Sequence, residues 1–264
     1  MTSKLGRKQD LTIDKWEQTT RVIDNIVAPK DLDNRIDETV DRIKATAAGK
    51  EVAYGWSGGK DSIALSWLMQ QAGINRGVLV VTELEYPSFL EWVDQNQPEG
   101  ITTINTGQDY RWLKQRPQFL FPTGRSLSNW YRVVQHTGQD RFYRDNKLDM
   151  IALGRRTQDG NYTGPKGENI YTNNRGTTRW SPIGDWTHEE TIALLAKINA
   201  ELPPIYRAPR GFQVGTGPWP SRPGDRPAAE NWQEVWDTDS RVVALAAEHD
   251  IPGAKQFIET KESA

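Results

Sequence analysis

The segment Ser57-Gly58-Gly59-Lys60-Asp61-Ser62 is the most informative part of this 264-residue chain. It lies between a β-prone segment, Glu51–Trp56, and an apolar segment at residues 61–72 that is typical of a helix. Two adjacent glycines let a backbone approach a ligand closely, and a helix N-terminus attracts an anion. Because Lys60 adds a full positive charge on what we expect to be an exposed loop, the segment predicts phosphate binding rather than a simple tight turn.

Strands and helices alternate outward from this loop. Strands are predicted at residues 51–56, 78–82, 101–105 and 150–153, with helices at residues 61–72 and 87–96. The run Val78-Leu79-Val80-Val81 has no polar residue, which is typical of a strand buried on both faces. The alternation predicts an α/β protein with a mainly parallel sheet flanked by helices.

Three sequential segments are expected. Residues 1–48 form an N-terminal helical extension, with two amphipathic helices hinged near Pro29; residues 49–200 form the nucleotide-binding domain. Residues 201–264 begin with an irregular tail, because residues 202–228 hold seven prolines and four glycines, and end in helices at residues 237–249 and 252–259. Thr187 and Glu190 predict a capping box at the start of a helix reaching Asn199.

Composition excludes several kinds of chemistry. The chain has no cysteine, so it cannot form disulfides, thiolate metal sites or a thiol nucleophile. Its three histidines are far apart in sequence, which makes a histidine metal site unexpected; each is read as a surface or helix-end residue. No apolar run of 18 residues and no secretory signal is seen, which predicts a cytoplasmic protein without a membrane segment.

Several motifs resemble one superfamily. Residues 57–62 carry the S-G-G-K-D-S signature of the PP-loop ATP pyrophosphatases. Residues 82–93, Leu153-Gly154-Arg155-Arg156, residues 180–190 and Arg210-Gly211-Phe212 resemble segments of the phosphoadenosine phosphosulfate (PAPS) reductase-like branch. The resemblance spans about residues 50–217 and implies the Rossmann-like adenine nucleotide α-hydrolase fold.

The resemblance implies an enzyme that uses ATP and Mg²⁺. It would split the α–β phosphate bond and adenylate an acceptor, with Lys60 and either Arg155 or Arg156 as catalytic residues. The nucleotide-binding residues implied are Ser57, Gly58, Gly59, Lys60, Asp61, Ser62, Thr82, Glu83 and Gly154. No metal-ligating residue is assigned.

Differences between this sequence and the family's motifs restrict the activities that we expect of the chain. Reductases of this group need a cysteine in the C-terminal tail, where this chain has Gly215-Thr216-Gly217-Pro218-Trp219. Sulfonucleotide reduction is therefore not expected. Two alternatives to acceptor adenylation in nucleic-acid modification stay open: a sulfate or small-molecule adenylyltransferase, and a non-catalytic module that binds PAPS or ATP.

The partner is predicted from residues 109–147. Eight basic residues alternate there with aromatic residues, a pattern used by single-strand nucleic-acid grooves. Arg132, Arg141 and Arg144 are the candidate nucleic-acid contacts, whereas a pair of helices with solvated charges and a buried aromatic side is slightly favoured. A protein that donates sulfur or another group is the other partner considered. Eleven tryptophans are expected to serve the core rather than stacking.

Overall fold

The computed structural model describes residues 11–165 and 169–263. Contacts divide the chain into two compact units. The first comprises Met1–Leu79, Gln97–Thr103 and Gln139–Leu202, and the second comprises Val80–Asn96, Ile104–Gly138 and Pro203–Ala264. The units interleave along the chain, whereas the sequential division at residues 48 and 200 stays a prediction.

One mostly parallel sheet runs through the described residues, in the order β3-β2-β1-β4-β6-β5. Its strands are β1 (Val52–Gly55), β2 (Gly77–Val81), β3 (Ile101–Asn105), β4 (Met150–Ala152), β5 (Ile170–Thr172) and β6 (Thr178–Trp180). Strand β1 pairs in parallel with β2 and β4, and β4 pairs in parallel with β6. Strand β5 is antiparallel to β6. The predicted α/β class with a mainly parallel sheet is confirmed.

Twelve α-helices lie within the described residues. They are α1 (Ile13–Arg21), α2 (Pro29–Ala47), α3 (Lys60–Gln71), α4 (Pro87–Asn96), α5 (Tyr110–Lys114), α6 (Gly124–Tyr131), α7 (Thr137–Asp145), α8 (His188–Lys197), α9 (Gly211–Val214), α10 (Ala228–Thr238), α11 (Ser240–Glu248) and α12 (Ala254–Glu262). A π-helical turn, Arg132–His136, joins α6 to α7. No helix in these residues is both long and apolar enough to cross a bilayer.

The N-terminal helices form as predicted, and α2 packs within the first unit. Pro29 is the first residue of α2, where its missing N–H costs no helical hydrogen bond. Thr39 of α2 accepts a hydrogen bond from the buried indole of Trp186, and Arg35 and Arg42 both pair with Asp185. The segment before α8 therefore anchors α2.

The capping box before α8 is confirmed. The Thr187 side chain accepts from the Glu190 N–H, and the Glu190 carboxylate accepts from the Thr187 N–H. Three features were not predicted: the hairpin of β5 and β6, whose strands have only three residues each, the short helix α9 within the expected irregular tail, and α10. Helix α10 directly follows Pro227, so the proline-rich composition before it concealed its start.

Tryptophans fill the core, as predicted. Eight of the eleven are buried and the other three are half-buried. Within the second unit, Trp219 and Trp232 lie with ring centroids 5.5 Å apart, and Phe121 packs edge-on against Trp232 at 5.0 Å. Because the Trp219 and Trp232 rings are buried, they are not available to stack on an external base.

Candidate functional site

The loop after β1 is closed by its own two serines. The Ser62 hydroxyl accepts from the Ser57 N–H at 3.0 Å and donates to the Gly59 carbonyl at 2.8 Å. Gly58 has φ +67°, in the left-handed region that favours glycine. Gly59 is the N-cap of α3 and makes no side-chain cap hydrogen bond. The two serine hydroxyls thus close the loop, and the N-cap glycine has no side chain of its own to cap the helix, an arrangement that suits an anion.

Gly154, which follows β4, lies directly against this helix start. A Cβ at position 154 would fall 2.8 Å from the Asp61 carbonyl oxygen and 3.0 Å from the Ser62 nitrogen. Both neighbours are backbone atoms of the first turn of α3 and cannot swing aside. Only glycine therefore lets the chain after β4 approach the loop after β1 this closely.

Lys60 is buried, and the expectation of an exposed loop lysine is wrong. It is the first residue of α3 and is 2% exposed. Its Nζ lies 2.6 Å from Asp61 Oδ2 and 3.8 Å from Asp159 Oδ2. Burial lowers the pKa of Lys60, and the two carboxylates act against that shift. The Lys60 ammonium group is thus paired with protein carboxylates, because a buried charge needs a partner.

Arg156 is also buried and holds the same two carboxylates. Its Nε donates to Asp61 Oδ1 at 2.7 Å, and one terminal nitrogen donates to Asp159 Oδ2 at 3.0 Å. The same nitrogen lies 2.9 Å from Nδ1 of His188. Two cations and two carboxylates therefore form one balanced cluster, which we call the loop cluster, consisting of Lys60, Asp61, Arg156, Asp159 and His188.

His188 is neutral within the loop cluster. Burial, followed by the positive charge of Arg156, lowers the pKa of His188 to about 4. Because arginine can only donate, Nδ1 accepts and the ring proton lies on Nε2. That nitrogen lies 3.7 Å from Asp159 Oδ1, too far for a hydrogen bond, and both atoms are buried without a hydrogen-bond partner. Histidine 188 is the first residue of α8, so the helix-end expectation holds, but it is not on the surface.

Arg155 has a different environment from Arg156. It is half-buried, and its terminal nitrogen donates to the Tyr171 hydroxyl at 2.5 Å. Burial lowers the pKa of Arg155, with Tyr171 acting against the shift. Of the two arginines, Arg155 is the more accessible to a ligand, whereas Arg156 positions the loop residues.

Thr82 and Glu83 follow β2 in the second unit. Thr82 is buried, and its N–H and hydroxyl both donate to the Glu85 carboxylate at 3.0 Å. Burial raises the pKa of Glu85 to about 7, although the two hydrogen bonds from Thr82 lower it. Glu83 is exposed and accepts a hydrogen bond from Asn105. Their predicted contact with adenosine stays a prediction.

The basic segment 109–147 has its aromatic side turned inward. Trp130 and Phe142 are buried, and Trp112 is half-buried against Phe119 and Trp130. Tyr131 is the exposed aromatic residue of the segment, with 49% of its surface accessible. Arg132, Arg141 and Arg144 are exposed, and Arg141 pairs with Asp145. This arrangement favours helices with solvated charges, and it leaves phosphate contacts but little stacking for a nucleic acid.

Sequence reasoning missed Asp159, His188 and Tyr171. Asp159 lies three residues after Arg156 in a short 3₁₀ turn. This short separation from an arginine near a strand end is the sequence feature that could have indicated their pairing. His188 follows the N-cap Thr187, a position that predicts a surface or helix-end residue rather than a buried one. Tyr171 lies in a strand of three residues, which is too short to show a period.

Carboxylates of the loop cluster do not make a metal centre by themselves. No group of three or more acidic or histidine side chains suited to a metal occurs among the described residues. Both oxygens of Asp61 already accept from cations, and the 3% exposed Asp159 side chain lies between Lys60 and Arg156. The residues present therefore do not fit a resident Mg²⁺. Such an ion would arrive on the phosphates of a nucleotide.

The fold and the loop define a PP-loop protein of the α/β class. The family model of the phosphoadenosine phosphosulfate reductase domain matches residues 51–215. The chain therefore belongs to the PAPS reductase domain family, and the resemblance drawn from its motifs is confirmed. No curated protein matches the sequence.

Three solved structures are similar to the chain at low identity. A PAPS reductase from Candida auris in a phosphate complex is 11% identical, with a TM-score of 0.49, and covers 79% of this chain and 96% of its own. A U34-tRNA thiolase from Methanococcus maripaludis with a [4Fe-4S] cluster is 14% identical, with a TM-score of 0.44, covering 86% and 78%. An FMN adenylyltransferase from Candida glabrata is 12% identical, with a TM-score of 0.41, covering 74% and 70%.

Proposed function

We propose that this protein binds ATP at the loop after β1 and cleaves it between the α- and β-phosphates. One observation carries the proposal: the N-cap of α3 is Gly59, which has no side chain to cap the helix, and the next residue is the buried Lys60, which is paired with Asp61. Backbone N–H groups and a lysine at a helix start suit a chain of phosphates. The sequence motif and the family support the same ligand.

The reaction follows from where charge must be stabilised. An oxygen of the acceptor attacks the α-phosphorus, the bond from that phosphorus to the bridging oxygen breaks, and pyrophosphate leaves. The loop and Lys60 stabilise the negative charge that grows on pyrophosphate, and Arg155 stabilises the α-phosphoryl oxygens. Mg²⁺ enters as part of the MgATP substrate and neutralises further phosphate charge.

ATP must compete with Asp61 for Lys60. The loop cluster carries two positive and two negative charges with a neutral histidine, so it has no net charge to attract an anion from a distance. When phosphates bind, Lys60 can exchange Asp61 for a phosphate oxygen, while Arg156 keeps its bond to Asp61. Asp61, whose side chain is 19% exposed, therefore keeps a cationic partner when Lys60 contacts a phosphate.

The acceptor is proposed to be a nucleic acid, with a small substrate such as sulfate as the alternative. The exposed arginines Arg132, Arg141 and Arg144 support the first choice. A partner protein that donates sulfur or another group would then act on the adenylated product. The remaining alternative, a module that binds PAPS or ATP without turnover, keeps the same loop and differs only in product formation.

Products of α-labelled ATP test the proposal. We expect labelled AMP, or label transferred to an acceptor, together with pyrophosphate, in reactions supplied with DNA, tRNA or sulfate. Labelled ADP as the main product would reject cleavage at the α–β bond. ATP binding without any product would favour the binding module. Lys60→Ala is the matched inactive variant, and Lys50→Ala, an exposed lysine bonded to the Thr46 carbonyl, is the control.

A further inference from the structure

Tyr162 has an aromatic ring that is largely exposed to solvent. It is 60% exposed, the highest value among the exposed large hydrophobic side chains of the described residues. Leaving an aromatic face in water forgoes the burial that such a ring gains elsewhere in this protein. Isolated exposed apolar side chains are common, so exposure alone does not make a site. A binding site also requires neighbouring groups that can hold the ligand.

The ring of Tyr162 is supported by a second ring on the sheet. It lies edge-on to Tyr171, with centroids 4.9 Å apart and an interplanar angle of 63°. Tyr171 is the middle residue of β5 and pairs in register with Arg179 of β6. Because Tyr171 belongs to a strand, it gives Tyr162 a fixed neighbour rather than a mobile loop contact.

A short series of contacts joins these rings to the phosphate loop. The Tyr171 hydroxyl accepts from Arg155, and Arg155 follows Gly154, which touches the backbone of Asp61 and Ser62. All of these residues belong to the first unit. The pair of tyrosines therefore lies next to the arginine proposed for the α-phosphoryl group, where an incoming planar group and its phosphate would meet an aromatic face and a cation together.

We propose that Tyr162 and Tyr171 form a stacking site for a nucleobase beside the phosphate loop. Every base has a π-face, and stacking on an aromatic side chain requires no particular sequence. Arg155 adds positive charge for the phosphate attached to that base. The base can come from a nucleic-acid acceptor or from ATP itself. The proposal rests on the proposed function only in naming ATP and an acceptor as sources of the base.

Two binding measurements on the full chain separate the sources. Fluorescence anisotropy measures the affinity for a labelled single-stranded oligonucleotide of about 12 nucleotides, which is within the usual range of single-strand site sizes. Calorimetry measures the affinity for MgATP. Tyr162→Ala should lower the affinity for one of the two ligands by about ten-fold. Tyr162→Phe should restore the affinity for that ligand, because the phenyl ring keeps the stacking face.

Val22→Ala is the control, since Val22 is also an exposed large apolar side chain, 47% accessible, and lies outside both the basic segment and the loop cluster. It should leave both affinities unchanged. If Tyr162→Ala loses only oligonucleotide binding, the base belongs to the acceptor, and if it loses only ATP binding, the base belongs to ATP. Unchanged affinities in Tyr162→Ala, an equal loss in Val22→Ala, or a wild type that binds neither ligand would each overturn the stacking site.

The proposed function can fail independently of the stacking site. Oligonucleotide binding that depends on Tyr162 in a protein that binds no ATP would keep the stacking site and reject ATP cleavage. If Tyr162→Ala changes neither pyrophosphate release nor the two affinities, ATP cleavage is kept and the stacking site is rejected.

Discussion

Arg156 Nε lies 2.7 Å from Asp61 Oδ1, so an arginine that follows β4 binds the carboxylate of the loop that follows β1. Strands β1 and β4 are parallel neighbours, which brings their carboxyl ends to one edge of the sheet. Arg156 is fully buried, and its other bonds reach Asp159, His188 and the Trp186 carbonyl. The pair therefore makes the geometry of the loop after β1 depend on a residue distant in sequence.

Lys60→Ala should affect both ligand binding and stability. ATP affinity should fall about ten-fold or more, because a charge-assisted contact is lost. The free energy of unfolding should fall by roughly 3 kcal/mol, because Asp61 and the buried Asp159 lose a compensating cation. Calorimetry and denaturant unfolding measure the two effects. Lys60→Arg keeps the charge, and equal ATP affinity in wild type and Lys60→Ala would show that this lysine does not bind the nucleotide.

Gly154→Ala should displace the start of α3. The added methyl would lie 2.8 Å from the Asp61 carbonyl oxygen, so the backbone must shift at a cost of about 1–3 kcal/mol. We expect ATP affinity to fall together with the melting temperature. Gly160→Asn is the control, since position 160 has φ +76° with nothing within 4 Å, and asparagine tolerates that backbone. A Gly154→Ala protein with normal stability and affinity would contradict the close approach.

Sulfite should not form from PAPS. The chain contains no cysteine, and the attack on sulfur in this family requires a thiol. Incubation of PAPS with the pure protein and either thioredoxin or glutathione should release no more sulfite than the reductant alone. Catalytic sulfite production would overturn this prediction. Chromatography of the remaining nucleotide shows in the same experiment whether PAPS is altered in another way.

Replacing Arg132, Arg141 and Arg144 by alanine should weaken nucleic-acid binding about equally for different sequences. All three side chains are exposed, which suits contacts with phosphate rather than with base edges. Each lost contact should reduce the slope of log affinity against log salt by about one unit. Anisotropy titrations at two salt concentrations measure both quantities. If the wild type binds no nucleic acid at low salt, a small-molecule acceptor becomes the better proposal.

Acid should destabilise the protein through His188. The pKa of a histidine in an unfolded chain is about 6.5, and burial lowers the pKa of His188 to about 4. As the pH falls through this range the unfolded state takes up a proton before the folded state does, so the free energy of unfolding decreases. The decrease between pH 6.5 and pH 4 amounts to about 3 kcal/mol.

Denaturant unfolding of wild type and His188→Asn at several pH values isolates that contribution. The variant keeps other titrating groups, including Glu85, whose pKa is raised to about 7 and whose effect on stability has the opposite sign. The wild type should therefore lose more stability than the variant below pH 6.5. Parallel pH profiles would show that His188 has the same pKa in the folded and the unfolded protein, and would contradict this prediction.

The sequence by itself determined the class of fold and the position of the glycine-containing loop between β1 and α3. Strand β1, the two glycines and the apolar helix after them are consecutive, so local pattern was enough to predict a loop at a helix start. The helix α8 was equally clear, because Thr187 and Glu190 cap it through contacts only three residues apart. These features depend on neighbours along the chain, which a sequence displays directly.

Tertiary structure decided which of the predicted residues are buried and what they hold. Lys60 is enclosed because Asp159, almost 100 residues later, lies beside it, and Arg156 positions the loop because β4 pairs with β1. The placement of Tyr171 against Arg155 likewise depends on a hairpin of two short strands. Charge compensation and burial are set by contacts between distant segments, and a single sequence shows the residue types without showing those contacts.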